Sequence, residues 1–234
     1  MATSNQVIRA LRDSIQSRLP WDFAAFKRVQ FLNNTVRGKI LSFLLLTGII
    51  FACSPLPHLN VTYRLPFKTD ELKGKTVYLD FQDDRDVKDI IGGGAKKEFA
   101  GFSGNISYSL ARGNEEGFKI GVFEIPALFK EVFKKRLEYL GITVTPEKRK
   151  DQVALVIVLK ELVLDLFNRK WMVRMGYEAR LVKDGEALST QTISGQAERL
   201  KVIGTKQADI VLTELFTDLV NRMDVPRLFQ KGGL

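Results

Sequence analysis

The chain has 234 residues, of which 45% are apolar and 27% charged, a composition typical of globular proteins. Its formal net charge is +9, but seven of the 36 basic and two of the 27 acidic residues precede Cys53, so 29 basic and 25 acidic residues remain from there on, a net charge of +4. This mild excess, with no basic residues interleaved with stacking aromatics, is not typical of nucleic-acid-binding proteins, and no nucleic-acid partner is expected.

Residues 1–39 form a basic segment that is too long for the start of a signal peptide. The favoured hypothesis is that translation begins at Val36, because bacteria also initiate at GTG codons, which read internally as valine. That start would place Arg37 and Lys39 directly before the apolar run that follows. A second interpretation stays open, since apolar residues recur at helical spacing over residues 7–15 and are compatible with an amphipathic cytosolic helix.

Residues 40–52 form an uncharged apolar run that ends at Cys53, the only cysteine. As a helix the run is roughly 20 Å long, which is short for a hydrocarbon core of about 30 Å and typical of a signal-peptide h-region. Ala52, with Ile50 two residues earlier, resembles the lipobox of bacterial lipoproteins, in which the following cysteine takes a diacylglyceryl group before the signal is cut. We therefore expect Cys53 to be lipidated and to become the first residue.

Two other interpretations of this segment compete with that of a lipoprotein signal peptide. Cys53 could be an ordinary buried or free thiol, although a lone cysteine in an exported chain has no disulfide partner. The run could also be a single-span anchor, but prolines at 55 and 57 follow it at once. Ser54 stands where inner-membrane lipoproteins of enteric bacteria carry aspartate, so the expected destination is the outer membrane.

The sequence divides into four parts by composition. Residues 1–52 are the N-terminal extension and signal peptide, and residues 53–74 are the lipidated cysteine and an extended tether, in which prolines disfavour helix. Residues 75–226 are expected to form one domain. Residues 227–234, after Pro226, are expected to form a loose tail.

Within the domain, apolar periodicity predicts six strands and two helices. The predicted strands cover residues 75–81, 105–110, 142–145, 152–166, 171–181 and 186–199, and the predicted helices cover residues 126–140 and 205–223. The strand over 152–166 is apolar on both faces in its first half, so it is expected to be central. This order predicts an α+β fold, a mostly antiparallel sheet of about five strands with two main helices packed on one face.

The clearest alternation belongs to the strand over residues 171–181, and it predicts one fully buried face. That face carries Trp171, Val173, Met175 and Tyr177. Asp184-Gly185 then predicts a hairpin turn. The returning strand is rich in Ser, Thr and Gln, so it is expected at an edge of the sheet.

Two polar segments resemble ligand-binding loops but fail on spacing. Residues 83–86 lack the alternate oxygen ligands of a calcium loop, and residues 92–94 are not followed by the Lys-Ser/Thr of a phosphate loop. We expect Asp84 and Arg85 to hold their loop by local hydrogen bonds and the glycines to form a flexible turn.

The chain is poor in catalytic groups. Its one histidine, His58, falls in the predicted tether, so the domain has no histidine to activate a serine or to bind zinc. We expect no catalytic residue, no metal site and no cofactor, apart from the lipid on Cys53.

Several features together resemble the YajG-type family of bacterial lipoproteins over residues 53–224. They are the lipobox, Asp84-Arg85 after the first strand, a helix ending in Leu140-Gly141 before a strand, and a long hairpin followed by a C-terminal helix. The resemblance implies a small α+β domain on an outer-membrane lipoprotein that faces the periplasm, and it brings no catalytic residues. Residues 1–35 have no counterpart in the family pattern.

The expected function is therefore that of a scaffold or interaction module, lipid-anchored to the outer membrane of a Gram-negative bacterium on its periplasmic face. Its expected partners are the membrane and an envelope protein, and the oligomeric state stays open. The alternative is an accessory lipoprotein of a lipid-transport system that binds an apolar ligand between sheet and helices. A continuous apolar groove would favour the alternative, whereas a filled core with an exposed edge strand would favour the scaffold.

Overall fold

Two β-sheets and three helices make up the part of the chain that the computed structural model describes, residues 58–113 and 115–234. The strands are β1 (Leu59–Leu65), β2 (Thr76–Asp83), β3 (Ile106–Arg112), β4 (Phe118–Phe123), β5 (Thr143–Thr145), β6 (Ala154–Phe167), β7 (Lys170–Lys183) and β8 (Glu186–Leu200). The helices are α1 (Ile125–Tyr139), α2 (Lys206–Arg222) and α3 (Val225–Lys231). The signal peptide, the start at Val36 and lipidation at Cys53 fall outside the described residues.

The larger sheet has the strand order β5-β2-β6-β7-β8. Its first three strands are parallel, and β6, β7 and β8 form an antiparallel meander. Helix α1 packs on β2 and β5, and α2 packs on β7 and β8. The predicted α+β class is confirmed, and so are the central place of β6 and the edge place of β8.

The buried face of β7 is the one that its alternation predicts. The four side chains from Trp171 to Tyr177 on that face are at most 1% exposed. Aromatic rings fill the space between this sheet and the two long helices. The ring centroids lie 5.3 Å apart for Phe133 and Tyr177, 5.5 Å for Phe129 and Phe216, and 5.2 Å for Phe81 and Phe129.

The smaller sheet, of order β1-β3-β4, corrects the prediction of a tether over residues 53–74. Residues 59–65 are extended, but as strand β1, which pairs in parallel with β3. Leu59, Val61, Tyr63 and Leu65 are at most 3% exposed and alternate with polar residues. Because this strand buries a full apolar face, the domain begins at β1 rather than at Lys75. The prolines exclude a helix here, but they do not exclude a strand.

The outer edge of β1 is covered by side chains of α2. The backbone N–H groups of Asn60, Thr62 and Arg64 donate to Asp209 Oδ1, Thr213 Oγ1 and Thr217 Oγ1 at 2.9, 3.1 and 3.3 Å. Four helical residues advance about 6.0 Å and two strand residues about 6.6 Å, so every fourth helix residue meets every second strand residue. We call this row of contacts the helix–strand seam.

The predicted loose tail over residues 227–234 is also corrected. Residues 225–231 form α3, in which Leu228 and Phe229 are buried. Pro226 lies in the first turn, where its missing N–H leaves no hydrogen bond unmade, and the Asp224 carboxylate caps the helix by accepting from Arg227 N at 3.0 Å. The proline therefore begins a helix here.

The glycines at 92–94 pack against β6 rather than forming a free turn. Gly92 N donates to Leu164 O at 2.8 Å, and Asp165 Oδ1 accepts from Gly94 N at 2.9 Å and from Ala95 N at 3.1 Å. A Cβ atom at Gly94 would lie 2.0 Å from Leu166 O, so the close approach requires glycine.

Candidate interaction surface

The two sheets have four outer strands, and three of their outer edges are protected. The seam with α2 covers β1, and β5 has only three residues. Strand β8 is polar, since nine of its fifteen residues are Ser, Thr, Gln or charged. Two of its side chains also contact the C-terminal helices, because Ser189 Oγ donates to Leu228 O at 2.7 Å and Gln191 Oε1 accepts from Asp224 N at 3.1 Å. Short, covered and polar edges are the usual protection of sheets against unwanted strand pairing.

Strand β4 lacks this protection. It pairs with β3 on one side, and no described strand pairs with the other. Its residues Phe118, Ile120 and Val122 are 56, 36 and 54% exposed. The pairing register skips Ile120, so Phe118 lies opposite Leu110 and Val122 opposite Ser107, on different faces of the sheet. This strand therefore offers an open backbone edge with apolar side chains on both faces, a template for pairing with another strand.

A cleft of about 590 Å³ lies between the loop after β2 and the start of α1. An ion pair lies in its wall, because the Arg85 side chain, 4% exposed, donates through Nε and Nη2 to the two Asp83 carboxylate oxygens at 2.9 and 2.8 Å. Lys88 Nζ donates to Asp83 O at 2.9 Å. Hydrogen bonds from Arg85 lower the pKa of Asp83 to about 2, so its carboxylate stays ionised.

Asp84 and Asp89 of this loop are paired as well. Arg85 holds the loop locally as predicted, through Asp83 rather than through Asp84. The Asp84 carboxylate instead accepts a hydrogen bond from Lys160 Nζ of β6, which lowers its pKa. Lys96 Nζ lies 3.7 Å from the Asp89 carboxylate. The three cations of the cleft are therefore paired with Asp83 and Asp89, whereas Glu124, which also lines it, forms no ion pair among the described residues.

The residues that the sequence offers as possible catalytic or metal-binding groups do not lie together in the fold. His58, the one histidine, is exposed just before β1 and lies outside the cleft lining. Within residues 58–113 and 115–234, no group of three or more His, Cys, Asp and Glu side chains is arranged to hold a metal ion. No helix in this part of the chain is long and apolar enough to cross a membrane.

Strand β4, which forms the candidate surface, was not predicted from the sequence. The alternation of Phe118, Ile120 and Val122 with other residues was a usable strand signal, but it spans only six residues next to a Gly- and Glu-rich loop. Nothing in the sequence indicates that the paired side of this strand is β3 and that its other side stays open.

No family model matches the chain, and no curated protein matches it. Distant structural likenesses exist. The crystal structure of protein XCC0632 from Xanthomonas campestris has 12% sequence identity and a TM-score of 0.46, and the match covers 74% of this chain and 97% of that one.

Two further structures share this partial likeness. A neuraminyllactose-binding hemagglutinin homolog from Helicobacter pylori has 11% identity, a TM-score of 0.34, and coverage of 72% of this chain and 96% of that one. Lipoprotein GNA1162 from Neisseria meningitidis has 16% identity, a TM-score of 0.27, and coverage of 64% and 97%. These three TM-scores are all below 0.5, which marks a partial likeness of fold.

Proposed function

We propose that this protein is a lipid-anchored lipoprotein of the bacterial envelope, of the YajG type, held through Cys53 on the periplasmic face of the outer membrane. It acts there without catalysis, as an interaction module for an envelope protein. The lipobox at residues 50–53 and the positive residues before the apolar run support the anchor.

The open edge of β4 is the observation that carries the interaction module. Three protected edges beside one apolar open edge indicate that the open one is retained for a partner. The partner would add an extended segment along β4, with main-chain hydrogen bonds for affinity and side-chain contacts with Phe118 and Val122 for specificity.

The filled interior supports this function over the lipid-transport alternative. An apolar cargo between sheet and helices would need the space that Phe129, Phe133 and Phe216 occupy. In the charged cleft, the pairs of Asp83 with Arg85 and of Asp89 with Lys96 likewise engage these side chains in holding the loop.

The anchor is tested with a Cys53→Ser variant of the full chain in a Gram-negative host. The native chain should incorporate labelled palmitate, and the mature protein should begin at Cys53 and float with the outer membrane. The variant should lose the label and remain as precursor or as soluble periplasmic protein. Unchanged labelling, or a mature protein that begins elsewhere, would contradict the proposal.

The partner surface is tested by copurification from detergent-solubilised envelopes. Val122→Lys should reduce recovery of the partner several-fold, because a charge on an edge strand opposes strand addition. Val87→Lys is the matched control, since Val87 is also an exposed valine, at 69%, but lies in a loop rather than on an edge strand. Equal loss from both variants, or from neither, would rule out β4 as the docking edge.

A further inference from the structure

A second group of exposed apolar residues lies at one end of the five-stranded sheet. One residue ends β6, one ends β8, and two follow in the loop to α2. They are Phe167, Leu200, Val202 and Ile203, which are 63, 58, 66 and 86% exposed, and we call them the end patch. The pairing register places Lys170 opposite both Phe167 and Leu200, so the three side chains share one face of the sheet.

Basic residues surround the end patch. Residues 167–170 and 198–206 together contain five basic residues and one acidic residue. Ion pairs engage three of the basic ones: Lys170 with Glu198, Arg199 with Glu214, and Lys201 with Glu98. Arg169 and Lys206 have no acidic partner within the described part of the chain. Arg169 occupies a two-residue hairpin turn at φ 62°, a position that favours glycine.

The end patch lies beside the start of the described chain. Its loop leads into Thr205, the residue before α2, and Asp209 in the first turn of α2 accepts hydrogen bonds from Asn60 N and Nδ2, both at 2.9 Å. Four residues lie between Cys53 and His58, so these two Cα atoms are five chain steps, at most about 18 Å, apart. A lipid on Cys53 would keep this end of the domain close to the bilayer.

We propose that the end patch binds the surface of the bilayer in which the Cys53 lipid is anchored. The apolar side chains enter the interface, and Arg169 and Lys206 contact anionic headgroups. This inference rests on the proposed lipid anchor, because the anchor supplies the high local lipid concentration that makes a weak contact persist. The contact would fix the orientation of the domain and leave β4 free for its partner.

The experiment uses the lipidated full chain in vesicles of phosphatidylethanolamine and phosphatidylglycerol. An Ile203→Cys substitution is labelled with a polarity-sensitive fluorophore, since a lipidated Cys53 has no free thiol. Glu186→Cys is the control, because Glu186 is exposed at the far end of β8 from Leu200, about 40 Å away. We expect a blue-shifted label at position 203 that is several-fold less accessible to an aqueous quencher than the label at position 186.

Charge substitutions distinguish the electrostatic contribution to the contact from the apolar one. Arg169→Gly with Lys206→Gln should restore quencher access at position 203 in these vesicles and have no effect in vesicles of phosphatidylcholine alone. A palmitate-labelled chain whose position 203 stays in water would overturn the inference while leaving the anchor intact. Protection in native envelopes but not in protein-free vesicles would overturn it in favour of a protein partner. A chain that takes up no palmitate would contradict both the proposed lipid anchor and this inference.

Discussion

Three buried tyrosines differ in whether their hydroxyl groups have partners. Tyr177 Oη donates to Leu219 O at 2.8 Å and Tyr63 Oη donates to Asn221 Oδ1 at 2.8 Å. Tyr108 Oη is buried without a partner among the described residues. Burial raises the pKa of all three, so each remains a neutral phenol.

Substitution by phenylalanine should therefore affect the free energy of unfolding differently at Tyr177 and at Tyr108. Tyr177→Phe should lower the free energy of unfolding by about 1 kcal/mol, because Leu219 O loses a buried hydrogen bond. Tyr108→Phe should leave stability unchanged or raise it, because an unsatisfied hydroxyl is removed. Urea unfolding of both variants checks this, and an equal loss from both would mean that Tyr108 has a partner in solution.

The Asp83–Arg85 pair predicts a specific loss of stability in acid. The folded-state pKa of Asp83, about 2, is below the unfolded value near 3.9, so the pair stabilises the fold above about pH 4 and loses its contribution as the pH falls towards 2. At neutral pH, Asp83→Asn should cost about 3 kcal/mol, because it leaves the buried Arg85 guanidinium without a counter-charge.

The measurement is the unfolding free energy of native chain and variant at a series of pH values. Their difference should shrink as the pH falls from about 5 to about 2, since the native carboxyl becomes neutral like the amide. Asp70→Asn is the control, because its pair with Lys68 at 3.8 Å is exposed on both sides. A difference that stays constant with pH would contradict the role of the pair.

At the scale of elements, the glycine loop at 92–94 offers a matched pair of substitutions. Gly94→Ala should destabilise the protein by about 2 kcal/mol, because its Cβ would overlap Leu166 O of β6. Gly93→Ala has no atom within 4 Å of its Cβ and should be neutral or slightly stabilising. Thermal unfolding distinguishes the two, and similar melting temperatures would mean that the loop is not packed on β6.

The longest strands could be predicted from their own pattern. Strands β6, β7 and β8 have 14 or 15 residues each, so their alternation, and the Asp184-Gly185 turn at φ 50° and 86°, could be recognised locally. The missed elements β1, β4 and α3 have six or seven residues. Length alone does not explain these misses, because β3 and β5, of seven and three residues, are predicted correctly. Prolines close to β1 and within α3 indicate irregular structure in the sequence, although both segments are regular.

At the scale of the whole molecule, α3 completes the domain. Removal of residues 225–234 would expose the surface beneath Val225, Leu228 and Phe229 and leave Ser189 Oγ without its acceptor. We expect this truncation to lower the unfolding midpoint strongly, because each buried side chain contributes about 2 kcal/mol. Truncation after Gly232 is the control. An unchanged midpoint for the longer truncation would restore the idea of a loose tail.

The candidate surfaces could be predicted only in part. The lipobox is a local motif, so lipidation at Cys53 is predicted from adjacent residues alone, and it stays a prediction. Strand β4 can be recognised as the unprotected edge only by comparison with β1, β5 and β8, the other outer strands of the two sheets. The end patch likewise joins residues from β6 and β8 that only the strand register brings together.

The helix–strand seam has a mechanical consequence. A pull on a lipid at Cys53 is a pull on the N-terminal end of β1, which lies between the backbone of β3 and the side chains of α2. Force along β1 would load both rows of hydrogen bonds together, so the strand could be drawn out only if both yielded. A partner on β4 would receive that tension through β3. The small sheet would then carry part of the force to the partner, and α2 would carry the rest to β7 and β8 of the five-stranded sheet, on which it packs.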